Sequence, residues 1–517
     1  MANIAERLFD RARLDGGKTA LIFAAQHLSF ADLQSRVCTV AAGLAAAGFS
    51  PGDKLAIMLS TNPDFIVFEF AAFALGVVVV PLNVHYKPNE IEYAVGSCEV
   101  DFLVIQDELV ERVTAEMLAR LPLLRRVFVL GPRLGDRVSA RIASAEILLN
   151  HAEAIAECVD RSPDDIALML HTSATTGKAK GVMLSLANLQ ANYDRTPDWL
   201  GLRGDDCILC ALPLYNTFGL NQCINAIMVT GATMVLLSRF DAVECLKAIQ
   251  THRCTFFPAV PTMLQKVLND PQAPQFDLTS MRRLLVGAAP VPGPLLEQVY
   301  RTMGAETVVM TGYGLTEACA LVSLEHTAMD ANGSLRRPKS IGRALPGIQM
   351  IIADEQGVEV APGTVGQICI KGPNVMKGYY KLPAETAQAI VDGWLQTGDL
   401  GVMDEDRHFY IVDRKKDLII RGGQNIYPAD IEEALYHHPA VAEAAVVGRP
   451  DDLLGEVPEA FVAFKPGSVA TVAELMDLCK LELAYFKVPK AIHVLAELPK
   501  GPTGKILRRG LRAAGTV

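Results

Sequence analysis

The sequence predicts an α/β protein in two parts: a large N-terminal region of layered parallel sheets with helices on both faces, and a small α+β domain at the C-terminus. Three observations lead there. The chain has 517 residues, too many for one ordinary core. Short apolar runs alternate with helical periodicity over most of the N-terminal region, the pattern of parallel sheets covered by helices. From about Gly347 the texture changes to alternating strands with Gly and Pro turns, and it changes again after a charged cluster, DRKKD (Asp413 to Asp417).

In chain order, ADLQSRVCTVAAGLAAAGF reads as a helix ending at Gly48 and KLAIML as a buried strand. FIVFEFAAFALGVVVVPL approaches membrane-spanning length, but Glu69 lies within it and Gly76 divides it into a helical half and a Val-rich half, so helix then buried strand is the expectation. FLVIQ, VFVLG, ATMVLL, RRLLVG and TVVMTG read as further buried strands, with helices such as AVECLKAIQTH between them. IQMIIADEQG, GQICIKG and HFYIVD suggest a small barrel or antiparallel sheet. Beyond DRKKD, ADIEEALYHHPAV and VAELMDLCKLEL read as helices, EAAVVG and EAFVAF as strands. About a hundred residues suffice for a separate small domain.

Composition narrows the function. A net charge of -10 argues against a nucleic-acid binder, which needs surplus Lys and Arg. The N-terminus MANIAERLFDRARLDGG has no apolar core and so is not a signal peptide, which points to the cytoplasm. Eleven cysteines lack framework spacing, and Cys207 and Cys210, three apart on an expected strand, point to opposite faces. Buried free thiols in a reducing compartment are expected. The ten histidines show no HExxH or paired metal spacing, and His437 and His438 close an expected helix.

HTSATTGKAKGV (His171 to Val182) crowds four hydroxyl side chains and two lysines into one stretch after the apolar run IALML. Small donors and cations in a loop suit an anion, and a phosphate most of all. It is not a P-loop: Gly177-Lys178 is followed by Ala179, which offers no hydroxyl to a metal, and Thr172 stands where the first glycine belongs. GVMLSL beyond the loop reads as a strand, whereas a P-loop opens a helix.

Six further stretches follow in order: LPLYNTFG, GAAP, TGYGLTE, DGWLQTGD, DRKKDLIIRGGQNIYPADIE and PKGPTGKILR. With the phosphate loop they resemble the ordered motifs of the adenylate-forming superfamily, the acyl-CoA synthetases with their luciferase and peptide-synthetase relatives. The resemblance runs from near residue 30 to near residue 510. It implies a large N-terminal domain of layered αβαβα sheets with a β-barrel-like subdomain (residues 1–412), a hinge (413–416) and a small mobile α+β C-terminal domain (417–517). It also implies ATP-dependent ligation of a carboxylic acid to coenzyme A, with ATP, Mg²⁺ and CoA as ligands.

The resemblance assigns roles residue by residue. Thr172, Ser173, Thr175, Thr176, Gly177 and Lys178, with Lys180 nearby, would cradle the β- and γ-phosphates. Gly287, Ala288 and Ala289 would let adenine lie against backbone. Within Gly312, Tyr313 and Gly314, the tyrosine would stack on the base. Thr316 would meet the α-phosphate, and Glu317, with Thr172, the magnesium. Asp399 would accept both ribose hydroxyls, and Arg414 would add a cationic contact. Lys505 would reach the carboxylate and α-phosphate during adenylation, whereas Gly422 and Gly423 would line the pantetheine path for thioester formation. Both tasks cannot use one arrangement, so the small domain would alternate about Lys416.

Tyr215, Asn216, Phe218, Gly219, Val260, Leu315 and Ala318 are the candidate acyl-pocket residues. These stretches are mostly apolar and hold no Arg or Lys, which disfavours a dicarboxylate. A medium- or long-chain fatty acid and an aromatic acid both stay open. Ala174 replaces the family's usual glycine, Ala179 its proline, Asn216 its histidine and Gln367 its glutamate. The first two put the efficiency of ATP binding in question, so use of a preformed adenylate is one alternative. A separate acyl-carrier protein as acceptor and a luciferase-like oxygenase are others, and a homodimer is left open.

Overall fold

The computed structural model describes residues 3–133, 139–172, 178–304, 306–330, 332, 334–500 and 506–513. The chain divides into two compact units. The first is built from Met1–Ser173, Ala179–Gln349 and Ile370–Leu395; the second includes Met350–Cys369 and Gln396–Val517.

Two sheets organise the first unit. One runs in the order Gly378–Tyr379, Gly181–Ser185, Ile166–His171, Val78–Pro81, Lys54–Met58, Phe102–Gln106, Arg126–Leu130 and Ile142–Ser144. From Ile166–His171 onward its strands are parallel, whereas the first two pairings are antiparallel. The parallel strands are Val-, Ile- and Leu-rich and nearly all buried, because helices cover both faces. The helix Pro63–Ala74 explains the long apolar stretch. Asn62 caps it by accepting from the Phe65 amide, Pro63 opens it, and almost every side chain in it is buried. No helix among the described residues is long and apolar enough to cross a membrane.

In the other sheet Gln26–Ser29, Thr19–Phe23, Thr233–Leu236, Cys207–Cys210, Phe256–Ala259, Arg283–Gly287, Val308–Leu315, Ala320–His326 and Ser340–Ala344 lie side by side. Pairings are parallel from Thr19–Phe23 to Val308–Leu315 and antiparallel from there to Ser340–Ala344. The change falls at the hairpin that carries TGYGLTE. The predicted strands of these two sheets are all present, with element ends shifted by one or a few residues. The helix expected to reach Gly48 stops at Ala46, and the strand at TVVMTG runs on to Leu315.

Most of the strands Gln349–Ala353, Gly366–Lys371 and Trp394–Met403, and all of Phe409–Arg414, belong to the second unit and precede an α+β domain. That domain packs the helices Pro428–Tyr436 and Val472–Glu482 on a sheet of Gln424–Ile426, Ile419–Arg421, Gly455–Phe464, Val441–Asp451 and Ala491–Val494. Ile426, Ile431, Leu435, Val446, Val462 and Leu475 form its core. A charged network joins its last helix, Arg508–Ala513, to Asp417 and Glu432. Arg508 grips both oxygens of Glu432 at 2.8 and 2.9 Å and meets Asp417 at 3.1 Å, while Arg512 meets Asp417 at 2.9 Å.

Candidate active site

The candidate phosphate stretch lies between the antiparallel strands Ile166–His171 and Gly181–Ser185, after the carboxyl end of a strand that also pairs in parallel, where open α/β sheets place their ligands. Its neck is closed twice. The Thr172 amide donates to the Lys180 carbonyl at 3.0 Å, and the Lys180 amide donates to Thr172 Oγ1 at 3.2 Å. Tyr93, on the helix Pro88–Ser97, donates its hydroxyl to the Ala179 carbonyl at 3.0 Å and so anchors the position where the family has proline. Beneath the neck His171 Nε2 lies 3.4 Å from Cys98 Sγ, and burial pushes the imidazole down to about 4, so it stays neutral. Ser173, Ala174, Thr175, Thr176 and Gly177 lie outside the described residues. Lys178 is exposed.

In the second sheet Gly287 ends its strand directly beside Gly312, so GAAP and TGYGLTE are neighbouring strand ends. Ala288 follows with φ +66 and is exposed, and Tyr313 is buried. After Leu315 the chain makes a short 3₁₀ turn, Thr316–Ala318, and returns through Cys319 (φ +58) and Ala320 (φ +90). The return is so close that a Cβ on Gly314 would run into the Ala320 carbonyl. This hairpin presents Thr316 and Glu317, both half-buried.

Glu317 is held from two sides. Its carbonyl accepts from the Met376 amide at 2.8 Å, and Oε1 accepts from the Tyr379 hydroxyl at 3.0 Å. The neighbouring Ala318 carbonyl accepts from Asn374 at 2.9 Å. Burial, with the Glu317 charge added, pushes the Tyr379 hydroxyl well up, so it is a neutral donor. The Lys180 ammonium sits 4.7 Å from the centre of the Tyr379 ring. Three stretches far apart in sequence thus meet in the first unit: the end of the phosphate loop, the TGYGLTE turn and GYYK.

A magnesium ion needs oxygen donors and few of them, because it usually keeps several waters and takes one or two carboxylates plus substrate phosphates. Among the described residues no three His, Cys, Asp or Glu side chains cluster as a closed metal cage. One oriented, half-buried carboxylate at Glu317 and a hydroxyl at Thr172 are the donor chemistry that such an open site requires.

Of the acyl-pocket candidates, Tyr215 is buried and its hydroxyl is pushed up to about 12 by that burial, with Tyr86 nearby. Asn216 precedes the short helix Thr217–Gly219, and Thr217 Oγ1 lies 3.1 Å from the Tyr193 hydroxyl. Phe218, Val260 and Leu315 are half-buried, Gly219 and Ala318 buried. The following turn, Leu220–Asn225, is π-helical and wholly buried, yet it carries Asn221, Gln222 and Asn225. Asn221 donates to Asn192 and Thr196, and Asn225 to the Tyr193 carbonyl, whereas Gln222 Oε1 has no partner among the described residues. An apolar reading of the preceding stretch did not reveal these buried amides.

The second unit holds the other assigned residues. Asp399 and Arg414 are cross-strand partners, with Arg414 Nε 3.0 Å from Asp399 Oδ1 and the carboxylate almost wholly buried. Lys416 is pushed down to about 8 by burial, with Arg414 adding to the effect. Gly422 (φ +56) and Gly423 (φ +83) form the two-residue turn between Ile419–Arg421 and Gln424–Ile426. A turn with both central residues at positive φ favours this pair, which explains RGGQ structurally. Gln367 hydrogen-bonds Gln396. Lys505 lies outside the described residues.

Residues 8–380 match the family model of the AMP-binding enzymes, and residues 430–505 that of the AMP-binding enzyme C-terminal domain. The chain belongs to the AMP-binding enzyme family. A long-chain-fatty-acid–CoA ligase of Bacillus subtilis is 35% identical over 531 residues, covering 98% of this chain and 93% of that one. A feruloyl-CoA synthase of an Amycolatopsis species is 35% identical over 505 residues, covering 97% of each. Among solved structures, the o-succinylbenzoate coenzyme A synthetase of Bacillus subtilis in complex with ATP and magnesium superposes with a TM-score of 0.84 at 32% identity, over 99% of both chains.

Proposed function

We propose that the protein activates a fatty or aromatic monocarboxylic acid and passes it to coenzyme A. The chain is an AMP-forming acid–thiol ligase that uses ATP, Mg²⁺ and CoA. A carboxylate oxygen attacks the α-phosphorus of ATP, and the bond to pyrophosphate breaks. The CoA sulfur then attacks the acyl carbon, AMP leaves, and the thiol proton is released. The observation that carries this reading is the meeting of Lys180, Tyr379 and Glu317 at the strand ends, which unites a phosphate-loop cation with a carboxylate suited to the metal.

The first step brings two anions together, and cations must offset their repulsion. Thr172, Ser173, Thr175, Thr176, Gly177, Lys178 and Lys180 would hold the β- and γ-phosphates, and Thr316 the α-phosphate. Bound at Glu317, with Thr172, the metal supplies Lewis-acid neutralisation of phosphate charge. Gly287, Ala288, Ala289 and Tyr313 would take the adenine, and Asp399 with Arg414 the ribose. Their own ion pair supports that role, because it orients the buried carboxylate and places a guanidinium beside it. Lys505 would serve adenylation and the Gly422–Gly423 turn the thiol step, the C-terminal domain turning about Lys416 between them. Use of CoA and ATP supports a cytoplasmic location.

Incubation with ATP, Mg²⁺, CoA and a panel of aliphatic and aromatic acids tests the proposal. AMP and acyl-CoA should form together for one class of acid. AMP release without acyl-CoA, and acylation instead of a phosphopantetheinylated carrier protein, would favour the carrier as acceptor. No AMP release with any acid would refute the reading.

A further inference from the structure

Tyr379 belongs to none of the motifs that carry the family resemblance, yet its side chain touches two of them. Its backbone is firmly placed. The two-residue strand Gly378–Tyr379 pairs with Gly181–Ser185 at Gly378–Met183 and Tyr379–Val182. The Tyr379 amide donates to Thr386 Oγ1 at 2.9 Å, and the flanking amides of Lys377 and Tyr380 donate to the Met183 and Gly181 carbonyls at 2.9 and 2.8 Å. From that fixed point the hydroxyl reaches Glu317 Oε1 at 3.0 Å and the ring face lies 4.7 Å from the Lys180 ammonium.

A half-exposed carboxylate on a short turn can rotate, and rotation weakens any cation it binds. A donor fixed to one oxygen removes that freedom and leaves the other oxygen to coordinate. The lysine has the same problem at the end of a four-carbon stem, and an aromatic face beneath its ammonium restrains it without neutralising it. We propose that Tyr379 is a positioning residue for adenylation: its hydroxyl orients Glu317 toward the metal that accompanies ATP, and its ring holds Lys180 at the phosphate loop. The inference rests on the ligase reading above and assigns this tyrosine a part in metal and nucleotide binding.

Calorimetric titration with ATP, with Mg²⁺ and with EDTA, separates the two contacts. Tyr379→Phe keeps the ring and loses the hydroxyl. It should raise the Mg²⁺ concentration for half-maximal ATP binding about 10-fold and leave the Kd for ATP in EDTA at the wild-type value. Tyr379→Leu should also weaken ATP in EDTA several-fold, because Lys180 loses its platform. In a Glu317→Gln background Tyr379→Phe should change the Mg²⁺ dependence no further. Tyr380→Phe, whose hydroxyl donates to Glu99 at 2.9 Å, serves as the neighbouring control and should match wild type. An unchanged Mg²⁺ dependence in Tyr379→Phe, equal weakening with and without Mg²⁺, or additivity with Glu317→Gln would each overturn the inference. Wild-type protein that binds no Mg²⁺–ATP would instead overturn the ligase reading itself.

Discussion

Ala288 holds a left-handed backbone, φ +66, at the turn assigned to adenine, with its methyl exposed. A Cβ at such a φ is strained, and nothing about the exposed methyl offsets the strain. Ala288→Gly should therefore stabilise the protein by about 1 kcal/mol, read as a higher urea midpoint at unchanged m; no shift would mean that the turn is not strained. Two buried ionisable side chains give a pH signature. His171 is pushed down to about 4 and Glu69 up to about 8, both by burial. Below its ordinary value of roughly 6.5 the unfolded histidine takes a proton that the folded one refuses, so stability falls by roughly 3 kcal/mol as pH drops toward 4. Above roughly 4.5 the unfolded Glu69 releases a proton that the folded one keeps, so stability falls by roughly 3 kcal/mol as pH rises to neutrality. The two slopes oppose each other between them. His171→Gln should unmask a profile that declines steadily from acid to neutral pH, and Glu69→Gln one that declines only toward acid. Variants that keep the wild-type profile in urea titrations across that range would contradict both assignments.

Elements place these residues. The antiparallel return after Leu315 sets Glu317 where the parallel run of its sheet stops, and a second hairpin sets Lys180 where the parallel run of the other sheet stops. Both sites were legible in the sequence because Gly, Thr and Lys cluster there against apolar strands. Tyr379 was not legible, because a two-residue strand has no periodicity and GYYK resembles any turn. Gln222 escaped for a different reason: a buried polar side chain in a helical turn looks like a solvent face until packing shows otherwise. The last helix, Arg508–Ala513, is tied to its domain through Arg508, which serves Glu432 and Asp417 while about a quarter of its side chain stays exposed. Arg508→Met would strand those carboxylates. It should cost about 2–3 kcal/mol, below the range for fully buried pairs because of that exposure. Hydrogen exchange of the helix Pro428–Tyr436 should accelerate accordingly, and unchanged protection would show that the network contributes nothing.

At the scale of the molecule the chain carries its assigned chemistry on two compact units, and the half-reactions give the means to separate them. Lys505→Ala should abolish most adenylation, about 100-fold or more as for loss of a charge-stabilising group, yet still pass a supplied acyl-adenylate to CoA. Single-turnover assays of each step read this directly, and equal loss in both would count against alternation about Lys416. Seven ordered motifs determined the class of protein from the sequence alone, because their residue types and their order resemble those of a known family, and order along the chain survives in one dimension. Strand–helix alternation likewise determined the layered fold. The tertiary structure decided which distant residues meet: Tyr379 with Glu317 and Lys180, Tyr93 with Ala179, Arg508 with Glu432. Those contacts depend on register and on side-chain reach across sheets, and neither is written in local periodicity.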